Sequence, residues 1–226
     1  MKVAICFSGQ VRSLRLCIES INETIIQKLP EETDIFCHFY RDKPEDEEEM
    51  TLFLNPTDYM FEDDLLVEKG LLDKCYDRRC ISKGPASRER TERVLKQLYS
   101  VYMANELKKK NERANNFKYD IVFRMRPDQI YNNDIEDLNK VGPSQLFVPS
   151  HDSHGGINDR FSFSKSEVMD DYASMWLELD ELIKDDKFHP ETLAMNICKR
   201  HNIEVVNTNI TCNRVRENGS IIKLHW

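Results

Sequence analysis

Apolar positions along the chain fall into two spacings, which between them predict an ordered series of strands and helices. Val3 to Phe7 is a short apolar run that predicts a strand over residues 2–7, and Ser8-Gly9-Gln10 is expected to break it. From about Ser13 to Lys28, Leu14, Cys17, Ile18, Ile21 and Ile25 recur on one helical face. TDIFCHFY, residues 33–40, predicts a second strand close enough to the first for a βαβ unit. The run EDEEE at 45–49 reads as a solvated loop or helix start, since adjacent like charges resist burial. Residues 51–90 carry little periodicity: short apolar pieces alternate with Pro56, Gly70, Gly84 and Pro85, and SKGPASRER reads as a mobile loop.

A long helix is predicted from about Arg88 to Asn111, with Val94, Leu98, Val101, Tyr102 and Leu107 as its buried stripe. YDIVFRMRPD, residues 119–128, follows as a strand. Alternation puts Ile121, Phe123 and Met125 on one face and Arg124, Arg126 and Asp128 on the other, so two cations and a carboxylate converge where Pro127 stops the ladder. Further on, QLFVP and FSFS predict strands on either side of the polar loop SHDSHGGINDR. Helices are expected from about Ser166 to Leu182 and from Pro190 to Arg200, with strand-like IEVVNTNI and IIKLHW at the end. Strands and helices mostly alternate, without repeats, which predicts one α/β domain built as an α/β/α sandwich around a mainly parallel sheet.

Composition narrows the chemistry. The 226 residues include 40 acidic and 32 basic side chains, for a formal charge of −8, and no long basic tract. A nucleic-acid partner is therefore not expected. Small anions remain open, because contact-range attraction outweighs a net charge screened beyond about 8 to 10 Å. The opening apolar run is too short for a signal core or a membrane span, and no other segment approaches the length of a span. Seven cysteines without a CxxC pair fit reduced core thiols and a cytoplasmic setting. Cys75 and Cys80 offer a pairing or zinc-binding alternative, and the sequons at Asn22, Asn209 and Asn218 read as chance occurrences.

In open α/β sheets ligands bind outside the carboxyl ends of the strands, and several polar segments are predicted at or near such ends. In SGQVRS, Gly9 permits close approach and Arg12 lies at a helix start, where free N–H groups favour an anion; the segment is not a P-loop. In RMRPD, planar guanidiniums suit phosphate oxygens while Asp128 could hold a divalent cation, against a plain alternative of surface ion pairs. HDSHGGINDRFSFS concentrates hydrogen-bonding groups around Gly155 and Gly156, and His151 with His154 leaves weak zinc ligation open. Glu191, beside Pro190 at a helix start, is either a cap or a group that orients or deprotonates a hydroxyl.

Taken in order, SGQVRS, YDIVFRMRPD, GGINDRFSFS and HPETL resemble glycosyltransferase-like proteins of the nucleotide-diphospho-sugar transferase (glycosyltransferase A) fold, notably small enzymes of large algal viruses, algae and plants. The resemblance spans residues 2 to about 206, with 41–90 contributing nothing. It implies a Rossmann-like nucleotide-binding half, 1–130, and an acceptor-side half, 131–226. It also implies Mn²⁺ or Mg²⁺ on an Asp-x-Asp motif; here the match is Arg126-x-Asp128, so an arginine stands where the first aspartate would be. Gly9, Arg12, Arg124, Arg126 and Asp128 would bind the donor, with Gly155, Gly156, Asn158 and Asp159 by the sugar or acceptor. Asp159 or Glu191 would take the acceptor proton in an inverting transfer from a nucleotide-sugar to a glycan or other hydroxyl. The rival readings are a metal-dependent hydrolase or nucleotidyltransferase using Asp128, His151 and His154, and a glycan- or nucleotide-binding module without turnover.

Overall fold

The computed structural model describes residues 1–64, 67–78, 85–135, 137–184 and 188–222. The Cys75–Cys80 alternative, residues 82–84 of the expected loop and the last four residues of IIKLHW fall outside these.

A seven-stranded sheet forms the centre. Its strands are β1 (Val3–Gln10), β2 (Thr33–Tyr40), β3 (Asp58–Glu62), β4 (Ile121–Met125), β6 (Gln145–Pro149), β7 (Phe161–Ser164) and β8 (Glu204–Thr208), in the order β3-β2-β1-β4-β7-β6-β8. All neighbours pair in parallel except β7, which runs antiparallel to both β4 and β6. Its aromatics explain why it sits between them: the register sets Phe163 opposite Phe123 and Phe147, and the three rings stack at centroid distances of 5.2 and 4.8 Å. The expectation of a mainly parallel α/β sheet holds.

Alternation along β1 divides the core in two. Val3, Ile5 and Phe7 pack with α1 (Leu14–Thr24), α2 (Asp46–Leu54) and a three-stranded sheet of β5 (Gln129–Tyr131), β9 (Cys212–Val215) and β10 (Ile221–Ile222). Ala4 and Cys6 face α4 (Pro85–Asn115), α5 (Ser166–Ala173), α6 (Leu179–Leu182) and α7 (Pro190–Arg200), and Cys75 of α3 (Lys69–Arg78) joins this layer. A fully buried cation ties α4 to α5. Lys108 Nζ lies 2.7 Å from Asp170, 3.2 Å from Glu112 and 2.7 Å from the Ser166 hydroxyl. Burial works against ionised Glu112, but Ser166 and Lys118 hold its pKa below the ordinary carboxylate value.

Several predicted boundaries move. β1 continues through Ser8 and Gly9 to Gln10, because all eight of its residues pair with β2. The helix expected over 166–182 is three pieces: the Ser174 hydroxyl donates to the Asp171 carbonyl, and a 3₁₀ turn at Ser174–Trp176 separates α5 from α6. The acidic run opens α2, where four carboxylates in the first turn suit the helix dipole and Asp46 accepts from the backbone N–H groups of Asp42 and Lys43. The poorly patterned stretch after residue 51 holds β3, α3 and the start of α4.

Candidate functional site

Where β1 meets β4 the chain order of the sheet reverses, and a cleft of about 1090 Å³ opens there at the carboxyl ends of β1, β2, β3 and β4. Ser8, Gly9, Gln10 and Arg12 border it from β1 and the turn that follows, and Arg124, Arg126, Pro127 and Asp128 from β4. The glycine turn and the RMRPD segment therefore share one cavity. Gly9 and Arg12 have φ of 119° and 47°, so the chain leaves β1 through left-handed backbone. The Gly9 N–H donates to the Ser100 hydroxyl of α4, which pins the turn across the cleft wall.

Asp128 is the electrostatic centre. Arg126 grips it with both arms of the fork, Nε to Oδ1 at 2.9 Å and Nη2 to Oδ2 at 2.8 Å. Arg214 of β9 donates to Oδ2 at 3.0 Å, Gln129 donates to Oδ1 at 3.0 Å, and Arg12 Nη1 stands 3.6 Å from Oδ2. Burial alone would raise the Asp128 pKa, but Arg126 and then Arg214 outweigh it and hold the carboxyl far below its ordinary value. Burial also opposes the charge on Arg126, and the bidentate pairing more than restores it, so its pKa is raised. Arg214 fares otherwise: burial and the neighbouring Arg126 push its pKa down to about 10. One carboxylate thus serves three guanidiniums.

Arginines 214 and 216 were not among the residues singled out in the sequence. They lie in CNRVRENGS, a polar stretch whose only signal is arginine alternation, and they reach the cleft because β9 pairs with β5 directly after Asp128. The cleft wall carries nine Arg or Lys and five Asp or Glu side chains, a local excess of four positive charges in a chain of net charge −8. Arg124, two residues before Arg126, is only 2 % exposed, and its Nε and Nη1 have no hydrogen-bond partner among the described residues. Burial lowers its pKa.

The second predicted cluster lies beside the cleft and is not among its lining residues. Asp159 is 8 % exposed and accepts a hydrogen bond from Gln97 of α4, which does line the cavity. Glu191, at 6 % exposure, has His189 Nδ1 2.6 Å from its Oε2 at the start of α7. Arg124, Asp159 and Glu191 all lie within electrostatic reach of the buried Tyr172 hydroxyl. Gly156 packs so closely on α7 that a Cβ there would overlap the Glu191 carbonyl and come 2.7 Å from the Thr192 nitrogen, and the Ile157 N–H donates to that carbonyl. Asn158 is committed to the loop itself: Nδ2 donates to the His151 carbonyl and Oδ1 accepts from the Arg160 N–H. Gly155, with φ of 84°, completes the bend.

A divalent cation does not fit at Asp128. Both oxygens already accept guanidinium and amide N–H bonds, and among the described residues no group of three or more His, Cys, Asp or Glu is placed to hold a metal ion. His151 is buried, with its Nε2 accepting the Cys212 N–H, whereas the His154 side chain is half exposed, so the two do not form a zinc pair. No helix among the described residues is long and apolar enough to cross a membrane.

Comparison with known proteins adds three findings. No curated protein matches the chain. Among solved structures it is similar to mouse xyloside xylosyltransferase 1 in its apo form, at 11% identity and a TM-score of 0.46, over 92% of this chain and 85% of that one. The model of a family described as a domain of unknown function (DUF7796) matches residues 1–198, and with most of its length inside that match the chain belongs to the DUF7796 family.

Proposed function

We propose that the cleft binds the diphosphate of a nucleoside-diphosphate-sugar and that the protein is a glycosyltransferase passing the sugar to a glycan or other hydroxyl acceptor. The observation that carries this reading is the gathering of Arg12, Arg126 and Arg214 around the single buried carboxylate of Asp128, in a cleft at the carboxyl ends of β1 and β4. As the glycosidic bond to the diphosphate breaks, negative charge grows on the leaving group. Guanidiniums already oriented by Asp128 stabilise that charge without reorganising. Their N–H groups not committed to Asp128 suit phosphate oxygens, and their positive excess does the work otherwise assigned to a metal.

On this reading Gly9 and Arg12 hold the nucleotide side of the donor. Gly155, Gly156 and Asn158 shape the loop that carries Asp159. For an inverting transfer Asp159 is the favoured proton acceptor, since Gln97 joins it to the cleft wall, while Glu191 steadies the same loop from α7. The burial of both carboxylates favours a second reading, a binding module without turnover.

A thermal-shift series with uridine and guanosine diphospho-sugars, run with and without Mn²⁺ and with a chelator, tests the proposal. At least one donor raises the melting temperature of the native protein, by about 2.7 kcal/mol of added stability at a hundredfold excess over Kd. Chelator leaves the shift intact, and Arg126→Gln and Arg214→Gln each diminish it. If no donor or nucleoside diphosphate moves the transition, the transferase reading fails. Donor binding without turnover that Asp159→Asn does not alter in any respect favours the binding module.

A further inference from the structure

The protein handles its buried cations in two ways. Lys108, fully buried, is matched by two carboxylates and a hydroxyl. Arg124, almost as deeply buried, makes no ion pair among the described residues, and two of its three nitrogens lack any hydrogen-bond partner. An uncompensated interior charge is costly, so its retention calls for a counter-charge brought from outside. Two further orphaned atoms lie next to it on the sheet. Ser162 stands directly opposite Arg124 in the β4–β7 register, and Ser8 is two residues beyond Cys6, which stands opposite Arg124 in β1; both hydroxyls are buried without hydrogen-bond partners among the described residues. Arg124 and Ser8 line the cleft.

We propose that Arg124, Ser8 and Ser162 form an inner subsite for a carboxylate carried on the sugar of the donor, so that the transferred group is a uronic acid. The inference rests on the nucleotide-sugar reading above. The subsite is distinct from the diphosphate position: Arg124 lies two residues deeper than Arg126, about 6.6 Å along an extended chain. Its chemistry selects a monoanion. A single guanidinium presents parallel N–H groups that match the two oxygens of one carboxylate, and two serine hydroxyls add donors without adding charge. A phosphate dianion would arrive there with one cation to meet two charges.

Calorimetric titration decides it, using UDP, UDP-glucose and UDP-glucuronate beside GDP, GDP-mannose and GDP-mannuronate. The wild-type protein binds the uronate of one series at least about tenfold more tightly than its neutral counterpart, a charge-assisted contact. Arg124→Met, which removes a buried charge with little change of volume, folds at least as stably, keeps the affinity for the bare nucleoside diphosphate and loses the uronate preference. Should that variant fail to fold, the Ser8→Ala/Ser162→Ala double variant narrows the same preference. Equal affinity for neutral and acidic sugars, or a loss of nucleoside-diphosphate binding in Arg124→Met, overturns the uronate subsite and leaves the donor reading standing. Absence of all nucleotide binding removes both.

Discussion

At Asp128 one side chain organises three others, and removing it has a calculable consequence. Asp128→Asn leaves Arg12, Arg126 and Arg214 facing one another without their shared counter-charge, which costs about 3–5 kcal/mol of folding stability at neutral pH. The pH dependence follows from the depressed native pKa. A carboxyl whose folded pKa lies below its unfolded value of about 3.9 contributes its full stability above that value, and loses it progressively as pH falls toward the folded pKa. Urea titrations of wild type and Asp128→Asn are therefore expected to differ by a constant amount from pH 7 down to about pH 4, and to converge below it. A gap that stays constant as pH falls below about 4 would mean that Asp128 has the same pKa folded and unfolded and is not held by the arginines.

Between elements, the decisive contact is the seating of the 151–160 loop on the start of α7. Gly156 makes it possible, because only a residue without Cβ clears the backbone at Glu191 and Thr192. Gly156→Ala is expected to destabilise the fold by about 1–3 kcal/mol, the range for overpacking, and to loosen amide-exchange protection at Ile157, whose N–H bonds to Glu191. Unchanged exchange at Ile157 would show that the loop is held elsewhere. This contact was legible only in part. HDSHGGINDR stood out through its polar density, and PETLAMNICKR through Pro190 at a helix start, but nothing in either segment announced that one lies against the other. Strands β1, β2, β4 and β6 and helices α4 and α7 were readable because apolar runs or long periodic stripes carry their burial. β3, β5 and β9 were not. The first is an edge strand of half-buried residues, and the others are three and four residues long, with Gln129, Asn213 and Arg214 where a pattern would need apolar side chains.

Across the whole molecule the charge distribution sets how a ligand arrives. The chain is acidic overall, so an anion at long range meets a repulsive protein, whereas within the cleft it meets nine cations against five carboxylates. These cations differ in depth: Arg216 is exposed at the mouth, while Arg126 is largely buried against Asp128. Salt acts on the two differently. Raising ionic strength from about 0.01 M to about 1 M shortens the screening length from ~30 Å to ~3 Å, which removes the contribution of exposed charges and leaves contact pairs largely in place. Nucleoside-diphosphate affinity is therefore expected to fall by about an order of magnitude over that range and then level off rather than vanish, because the Arg126 N–H groups left free by Asp128 act at hydrogen-bond distance. Arg216→Gln should flatten the salt dependence while leaving the high-salt affinity in place, and Arg126→Gln should remove the high-salt plateau. Titration of both variants across the salt series separates steering at the mouth from recognition at the floor; if the two substitutions shift the curve alike, the cleft acts as one undifferentiated patch of charge and Asp128 has no part in arranging it.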